Sequence, residues 1–158
     1  MKALSLTQPW ATLVAIGAKR IETRSWATRY RGPLAIHASK GWSKEDSALI
    51  DIEPFRAALY PNWIGRPSHM PRGFIIATAR LVHVEPTWFG GYSSTRMPAP
   101  ESAEFAFGDY SRGRFMWLLE DIVALADPIP ARGALGLWEW TPPLIHPLRQ
   151  ALDRDLDP

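Results

Sequence analysis

The sequence has no cysteine, which excludes disulfide staples, thiolate catalysis and zinc sites built on cysteine. No apolar run approaches the roughly 20 residues that cross a bilayer, and the N-terminus MKALSLTQPW lacks the charged-then-apolar pattern of a secretory signal. A cytoplasmic protein with no membrane contact is the default expectation. The familiar catalytic signatures are absent too: there is no phosphate loop, no GxSxG elbow and no HExxH. The four histidines, His37, His69, His83 and His146, are scattered without metal-ligand spacing. No metal and no cofactor is therefore expected. Acid is scarce in one part of the chain. Residues 1–44 hold eight basic groups and one acidic group, Glu22, a net of +7, while the remainder carries a net of −5. A basic end on a nearly neutral protein is the footprint of an anion site, with nucleic acid or a phosphorylated ligand as candidates, or else a solvated basic surface.

The chain is long on hydrophobics: 46% of its 158 residues are apolar, enough for one buried core and too few residues for two ordinary domains. Eight tryptophans are many for this length. Most belong in a core, although indoles near arginine also make stacking platforms for bases.

Periodicity places the elements. Residues 2–6 read as a strand, and Thr7-Gln8-Pro9 opens a helix with Trp10, Leu13 and Val14 on one face and Gly17 as a left-handed stop. Arg20 to Trp26 suits a strand in which Glu22 and Arg24 share one face and Ile21 and Thr23 the other. LAIHAS (34–39) is a strand with Leu34, Ile36 and Ala38 inward and His37 and Ser39 outward. Ser43 with Asp46 marks a helix start carrying Leu49, Ile50 and Ile52, which Pro54 breaks or restarts. GFIIATARLVHVE (73–85), RFMWLLEDIVAL (114–125) and LGLWEW (135–140) are strands, the last with Leu135, Leu137 and Glu139 on one face and Gly136, Trp138 and Trp140 on the other. The segment from Pro61 to Arg72 reads as loop. The aromatic-rich connection of 86–113 is long enough to be functional or partly helical. The pattern predicts an α+β protein on a curved, mostly antiparallel sheet or barrel, a single domain over 1–140 followed by a proline- and aspartate-rich tail, 141–158.

Three sets of residues remain: Gln8-Pro9-Trp10; Gly17-x-Lys19-x-x-Glu22-x-Arg24; and Gly108-Asp109-Tyr110-Ser111-Arg112-Gly113-Arg114-Phe115-x-Trp117. With the closing Gly136-Leu137-Trp138-Glu139-Trp140, they resemble the ASCH family of the PUA-like superfamily, whose most recognisable element is the GxKxxExR pattern. The resemblance covers residues 1–140. It implies a PUA-like β-barrel flanked by short helices, with the GxKxxExR residues in the wall of a cleft. It also implies RNA or a modified nucleoside as partner. Some small members are similar to amidohydrolases that remove the acyl group from N4-acetylcytidine, and ribonuclease activity is a third possibility. The amidohydrolase lysine falls on Lys19, and the corresponding threonine position is occupied here by Glu22.

From the residues themselves, Lys19 and Glu22 are the candidate catalytic groups if the chain is an enzyme. A neutral Lys19 is a base, and a charged one holds a phosphate or an oxyanion. Glu22 either accepts from the exocyclic amine of a base, moves a proton, or forms an ion pair that only orders the cleft. Trp10, Arg24, Tyr110, Arg112 and Arg114 are the candidate ligand-binding residues, the aromatics by stacking and the arginines by phosphate contact or stacking. Glu104 and Glu120 are candidates for a second acid.

Overall fold

A computed structural model describes residues 1–62 and 69–143. The loop reading of 61–72 therefore lies partly, and the tail reading almost wholly, outside the described residues.

The chain order is β1 (Lys2–Leu6), α1 (Trp10–Ala15), β2 (Ile21–Arg24), β3 (Gly32–Ala38), α2 (Lys44–Ala48), a 3-10 turn (Leu49–Asp51), α3 (Phe55–Leu59), β4 (Phe74–Pro86), β5 (Trp88–Phe89), β6 (Tyr92–Ser93), α4 (Ala103–Ala106), β7 (Phe115–Pro130) and β8 (Leu137–Glu139). Six strands form one sheet in the order β2-β7-β4-β3-β1-β8, and β5 with β6 forms a separate hairpin. Among the described residues only the β1–β3 pair is parallel; the remaining pairs are antiparallel. The fold is thus mostly β, with short helices, as the β-branched runs predict. Register shifts at three points along the β4–β7 ladder and one in β3–β4 let these long strands bend. The sheet curls far enough for Arg24, on β2, to donate from Nη2 to the Ser5 carbonyl of β1, 2.7 Å away. Strands near opposite ends of the sheet order thereby meet, in the manner of a half-barrel.

Inside the curl lies a core of Leu4, Leu6, Leu34, Ile36, Leu81 and Trp117, all at most 3% exposed. Trp117 is held edge-on to Trp26 and donates its indole N–H to the Trp26 carbonyl. A second cluster, Leu13, Ile50, Phe55, Leu59, Met70 and Phe107, packs outside it. Helix α1 is shared between them: Val14 points into the barrel core and Leu13 into the outer cluster, with Trp10 beside it. A helix with two apolar faces is what a position between two layers requires.

Local signals act as expected at the helix ends. Gly17 takes φ 77° after α1, and the amides of Gly17 and Lys19 return to the carbonyls of Val14 and Leu13. Ser43 Oγ accepts from Asp46 N at the start of α2. The helix it opens ends at Ala48, however, so Leu49 and Ile50 lie in the 3-10 turn and Ile52 is left 53% exposed. His37 lies on the face opposite Leu34 and Ile36, as alternation predicts, but that face is covered. Its ring is 2% exposed because the segment after β7 crosses that face of β3, and it contacts Ser5 Oγ (3.0 Å) and the Ala131 carbonyl (3.1 Å).

Candidate functional site

The stretch between α1 and β3 supplies one wall of an open cavity of about 410 Å³, and the segment from α4 to the start of β7 supplies the other. Glu22, Thr23 and Arg24 on β2 face Phe107, Gly108, Asp109 and Arg114 across it, with Ser5, Thr7 and Trp10 at the end nearest β1 and α1.

Two side chains lock the walls together from behind. Lys19 is 1% exposed. Its Nζ donates to the Ile21 carbonyl (2.5 Å) and the Phe107 carbonyl (3.0 Å), and lies 3.5 Å from Glu22 Oε2. Three acceptors around one nitrogen match the three protons of an ammonium group rather than the lone pair of a base. Glu104 reaches across in the opposite direction. Its carboxylate accepts from the amides of Arg20 (2.8 Å) and Ile21 (3.1 Å), so it ties α4 to the start of β2. Of the candidate second acids, Glu104 is thus occupied with backbone, and Glu120 is exposed on β7, outside the cavity lining.

Close approach of the two walls depends on Gly108. A Cβ built there would meet Tyr110 Cε2 at 2.7 Å and Thr23 Cγ2 at 3.2 Å. The contact lets Thr23 Oγ1 accept from Asp109 N at 3.0 Å. Thr23 therefore contributes to the cavity together with Glu22 and Arg24, rather than pointing away from it as strict alternation predicts. This close approach across to the 108–114 segment brings both sides of the strand into the lining.

The charged lining of the cavity consists of two arginine–carboxylate pairs. Glu22, with its side chain 11% exposed, has Oε1 3.0 Å from Arg24 Nε and Oε2 facing Lys19. Asp109 Oδ2 lies 3.3 Å from Arg114 Nε. In neither pair is the Nε–H aimed at the carboxylate, and both Nε atoms are buried without a hydrogen bond. These are charge contacts, not directed hydrogen bonds. Each guanidinium is instead fixed by Nη2, Arg24 on the Ser5 carbonyl and Arg114 on the Thr23 carbonyl at 3.1 Å. Hydrogen bonds from Ser111 to Asp109, aided by the nearby Arg114 charge, hold that carboxyl below the usual carboxylate range. Trp10 is half-buried, with its ring edge-on to Phe55 at 6.3 Å, and it lines one end of the cavity.

Of the residues expected from sequence, the structure brings Trp10, Glu22, Arg24 and Arg114 into one cavity. Lys19 stands behind the wall instead of in it. Tyr110 is 5% exposed and stacks on Phe105 at 5.0 Å, so its ring presents no face to the cavity. Burial, followed by the Glu104 and Glu22 charges, raises its phenol pKa well above the ordinary value. Arg112 is exposed outside the lining, with its guanidinium 4.7 Å above the Trp88 ring. The basic excess of residues 1–44 is also dispersed: Lys2 pairs with Glu139, Lys19 is internal, and Arg24 alone of the eight lines this cavity. Gly108, Asp109 and Thr23 line it without being expected to from the sequence. The Gly-Asp pair just before a strand is the signal that points to them. Among the described residues no cluster of three or more metal-ligating side chains occurs, and no helix is long and apolar enough to cross a membrane.

Comparison with known proteins bears on the same region. The model of the ASCH domain matches residues 4–117, which takes in β1, α1, β2, both walls of the cavity and the start of β7. The chain is also similar to activating signal cointegrator 1, at 56% identity over 79 residues for the human protein and 33% over 79 residues for the mouse protein. Those matches cover 50% of this chain and 13% of each relative. With the family match extending through the residues that build the cavity, the chain belongs to the ASCH domain family.

Proposed function

We propose that this chain is a PUA-like domain that binds single-stranded RNA or a modified nucleoside, with one base held in the cavity between β2 and the 108–114 segment. The observation that carries this reading is the combination of Glu22, Arg24, Arg114 and Trp10 around a single space of about 410 Å³, within the range of small-molecule pockets. A fixed carboxylate accepts from the exocyclic amine of cytosine or adenine. Two guanidinium groups anchored through Nη2 offer their remaining Nη N–H groups to phosphate or to a base plane. The half-buried Trp10 indole, which lines the same space, is the candidate for stacking. Unpaired bases are what such a cavity accommodates, because a base within a duplex exposes neither its face nor its pairing edge.

Lys19 then acts as a positioning residue. Its bonds to the Phe107 and Ile21 carbonyls set the distance between the two walls. The alternative, an amidohydrolase acting on N4-acetylcytidine with Lys19 activating water, needs that amine free, and its coordination argues for the binding role. Titration of a fluorescent single-stranded RNA at several salt concentrations tests the reading. Affinity is expected to fall with salt, and Arg24→Ala with Arg114→Ala is expected to weaken binding and to reduce the log–log salt slope by about 1.4, roughly 0.7 for each phosphate no longer neutralised. Binding unchanged in that double variant would remove the cavity from the interface. Incubation with N4-acetylcytidine tests the alternative: release of cytidine above a Lys19→Ala control would favour hydrolysis.

A further inference from the structure

The connection between β4 and β7 carries a feature that the cavity does not use. Strands β5 and β6 form a hairpin closed by Gly90 and Gly91, whose φ values of 57° and 87° meet the need for positive φ at both central positions of a two-residue type I′ turn. Trp88 pairs with Ser93 and Phe89 with Tyr92. Directly paired residues share a face, and neighbours alternate. Trp88 turns inward, where its indole N–H donates to the Tyr110 carbonyl at 3.1 Å. Phe89 and Tyr92 turn outward together, each 81% exposed. Other large exposed hydrophobics, such as Val123 and Leu135, need no special account when they occur singly. A cross-strand aromatic pair at the tip of a tight hairpin is different, since neither ring contributes to a core.

The hairpin is fixed to the wall of the cavity. Thr87, at its base, donates from Oγ1 to the carbonyls of Ser111 (2.8 Å) and Arg114 (3.1 Å), and its amide donates to the Arg114 carbonyl. The 109–114 segment that supports the hairpin also places Asp109 and Arg114 in the cavity. The Arg112 guanidinium, 4.7 Å from the inward-facing Trp88 ring, adds a further tie between this segment and the hairpin base. Exposed aromatic rings on a hairpin bonded to the same 110–114 segment that places the Arg114 guanidinium in the cavity supply the stacking and cationic chemistry of a single-stranded nucleic-acid track. Two rings fall far short of the roughly 800 Å² per partner that a stable protein interface covers, but they suffice to stack one or two bases.

We propose that Phe89 and Tyr92 form a stacking platform for bases next to the one held in the cavity, so that the bound ligand is a single strand of several nucleotides running from the cavity onto the hairpin tip. The inference rests on the nucleic-acid reading above and extends it from a single base to a strand. The test compares the affinity of wild type, Phe89→Ala/Tyr92→Ala and Arg24→Ala/Arg114→Ala for a mononucleotide and for a single-stranded RNA of roughly ten nucleotides. Removing the hairpin rings is expected to weaken the oligonucleotide by about tenfold per ring and to leave the mononucleotide unchanged. Phe89→Trp/Tyr92→Trp is expected to retain the oligonucleotide, which separates stacking from any effect on folding. Oligonucleotide binding by wild type that persists undiminished in Phe89→Ala/Tyr92→Ala overturns the platform while leaving the cavity reading intact. Binding that is lost in the arginine variant but not in the hairpin variant has the same meaning. No oligonucleotide binding by wild type overturns the platform, and no binding of the mononucleotide either overturns the cavity reading as well.

Discussion

Replacing Lys19 with methionine separates a positioning lysine from a reacting one. The unbranched Met side chain fills nearly the same buried volume, so little cavity is created. What disappears is Nζ, and with it two charge-assisted bonds to the Ile21 and Phe107 carbonyls and the contact with Glu22. Bonds to charged groups contribute about 1.5–3 kcal/mol each, and breaking a buried charge contact by removing one partner costs about 3–5 kcal/mol in all. Relief from burying the ammonium, with Glu22 still beside Arg24, reduces the sum, and about 3 kcal/mol remains. Against a total stability on the order of 10 kcal/mol for a single domain, that is a large fraction. In urea, with a slope near 2 kcal/mol per molar, the midpoint is expected to drop by about 1.5 M. Arg24→Met, whose side chain is 24% exposed, is expected to lower stability by about 1 kcal/mol while removing most ligand affinity. A Lys19→Met midpoint within about 0.3 M of wild type, combined with lost binding or turnover, would refute the positioning role and return Lys19 to the chemistry.

Two further substitutions probe the same geometry, and a third probes the buried His37 on the other face of β3. Gly108→Ala introduces a Cβ at 2.7 Å from Tyr110, an overpacking expected to cost about 1–3 kcal/mol in chemical denaturation and to weaken ligand binding, because Asp109 and Arg114 move with the loop. Glu22→Gln retains an acceptor while adding a donor, so discrimination between amino-bearing and carbonyl-bearing bases is expected to relax more than overall affinity falls, measured by competition between cytidine and uridine nucleotides. His37 has its pKa lowered by burial, against a smaller opposing effect of the Ala131 carbonyl. The unfolded chain therefore binds a proton first as pH falls: stability is fully present above the unfolded value near 6.5 and declines as pH drops below it towards the folded value. The urea midpoint of His37→Gln is expected to vary less than that of wild type between about pH 7.5 and 5.

Much of the fold is legible because its signals are local. The β-branched runs identify β4 and β7, Gly17 ends α1, and Ser43 caps α2. Glu22 and Arg24 share the cavity, as an extended β2 predicts, and Trp10 and Arg114 reach the same place. What escapes the sequence depends on distant partners. The role of Lys19 is decided by the Phe107 carbonyl, 88 positions along the chain, and that of Glu104 by amides 84 and 83 positions before it. Tyr110 reads as a stacking residue from its arginine neighbours, yet it is buried with its ring stacked on Phe105. His37 alternates outward in β3 as expected, but the segment around Ala131 and Gly133 returns across that face. Periodicity gives the face a side chain occupies and carries no information about what later covers that face.

Photo-crosslinking of a 4-thiouridine-containing single-stranded RNA, with the modified residues located by mass spectrometry, maps the bound strand onto the protein. Crosslinks are expected at Trp10 and in the 108–114 segment, extending to Phe89 and Tyr92 with longer strands and suppressed by Arg24→Ala with Arg114→Ala. Crosslinks gathered instead around Lys40, Arg132 and Leu135, which line a separate cavity of about 890 Å³ beside His37, and unaffected by those substitutions, would refute RNA binding between β2 and the 108–114 segment.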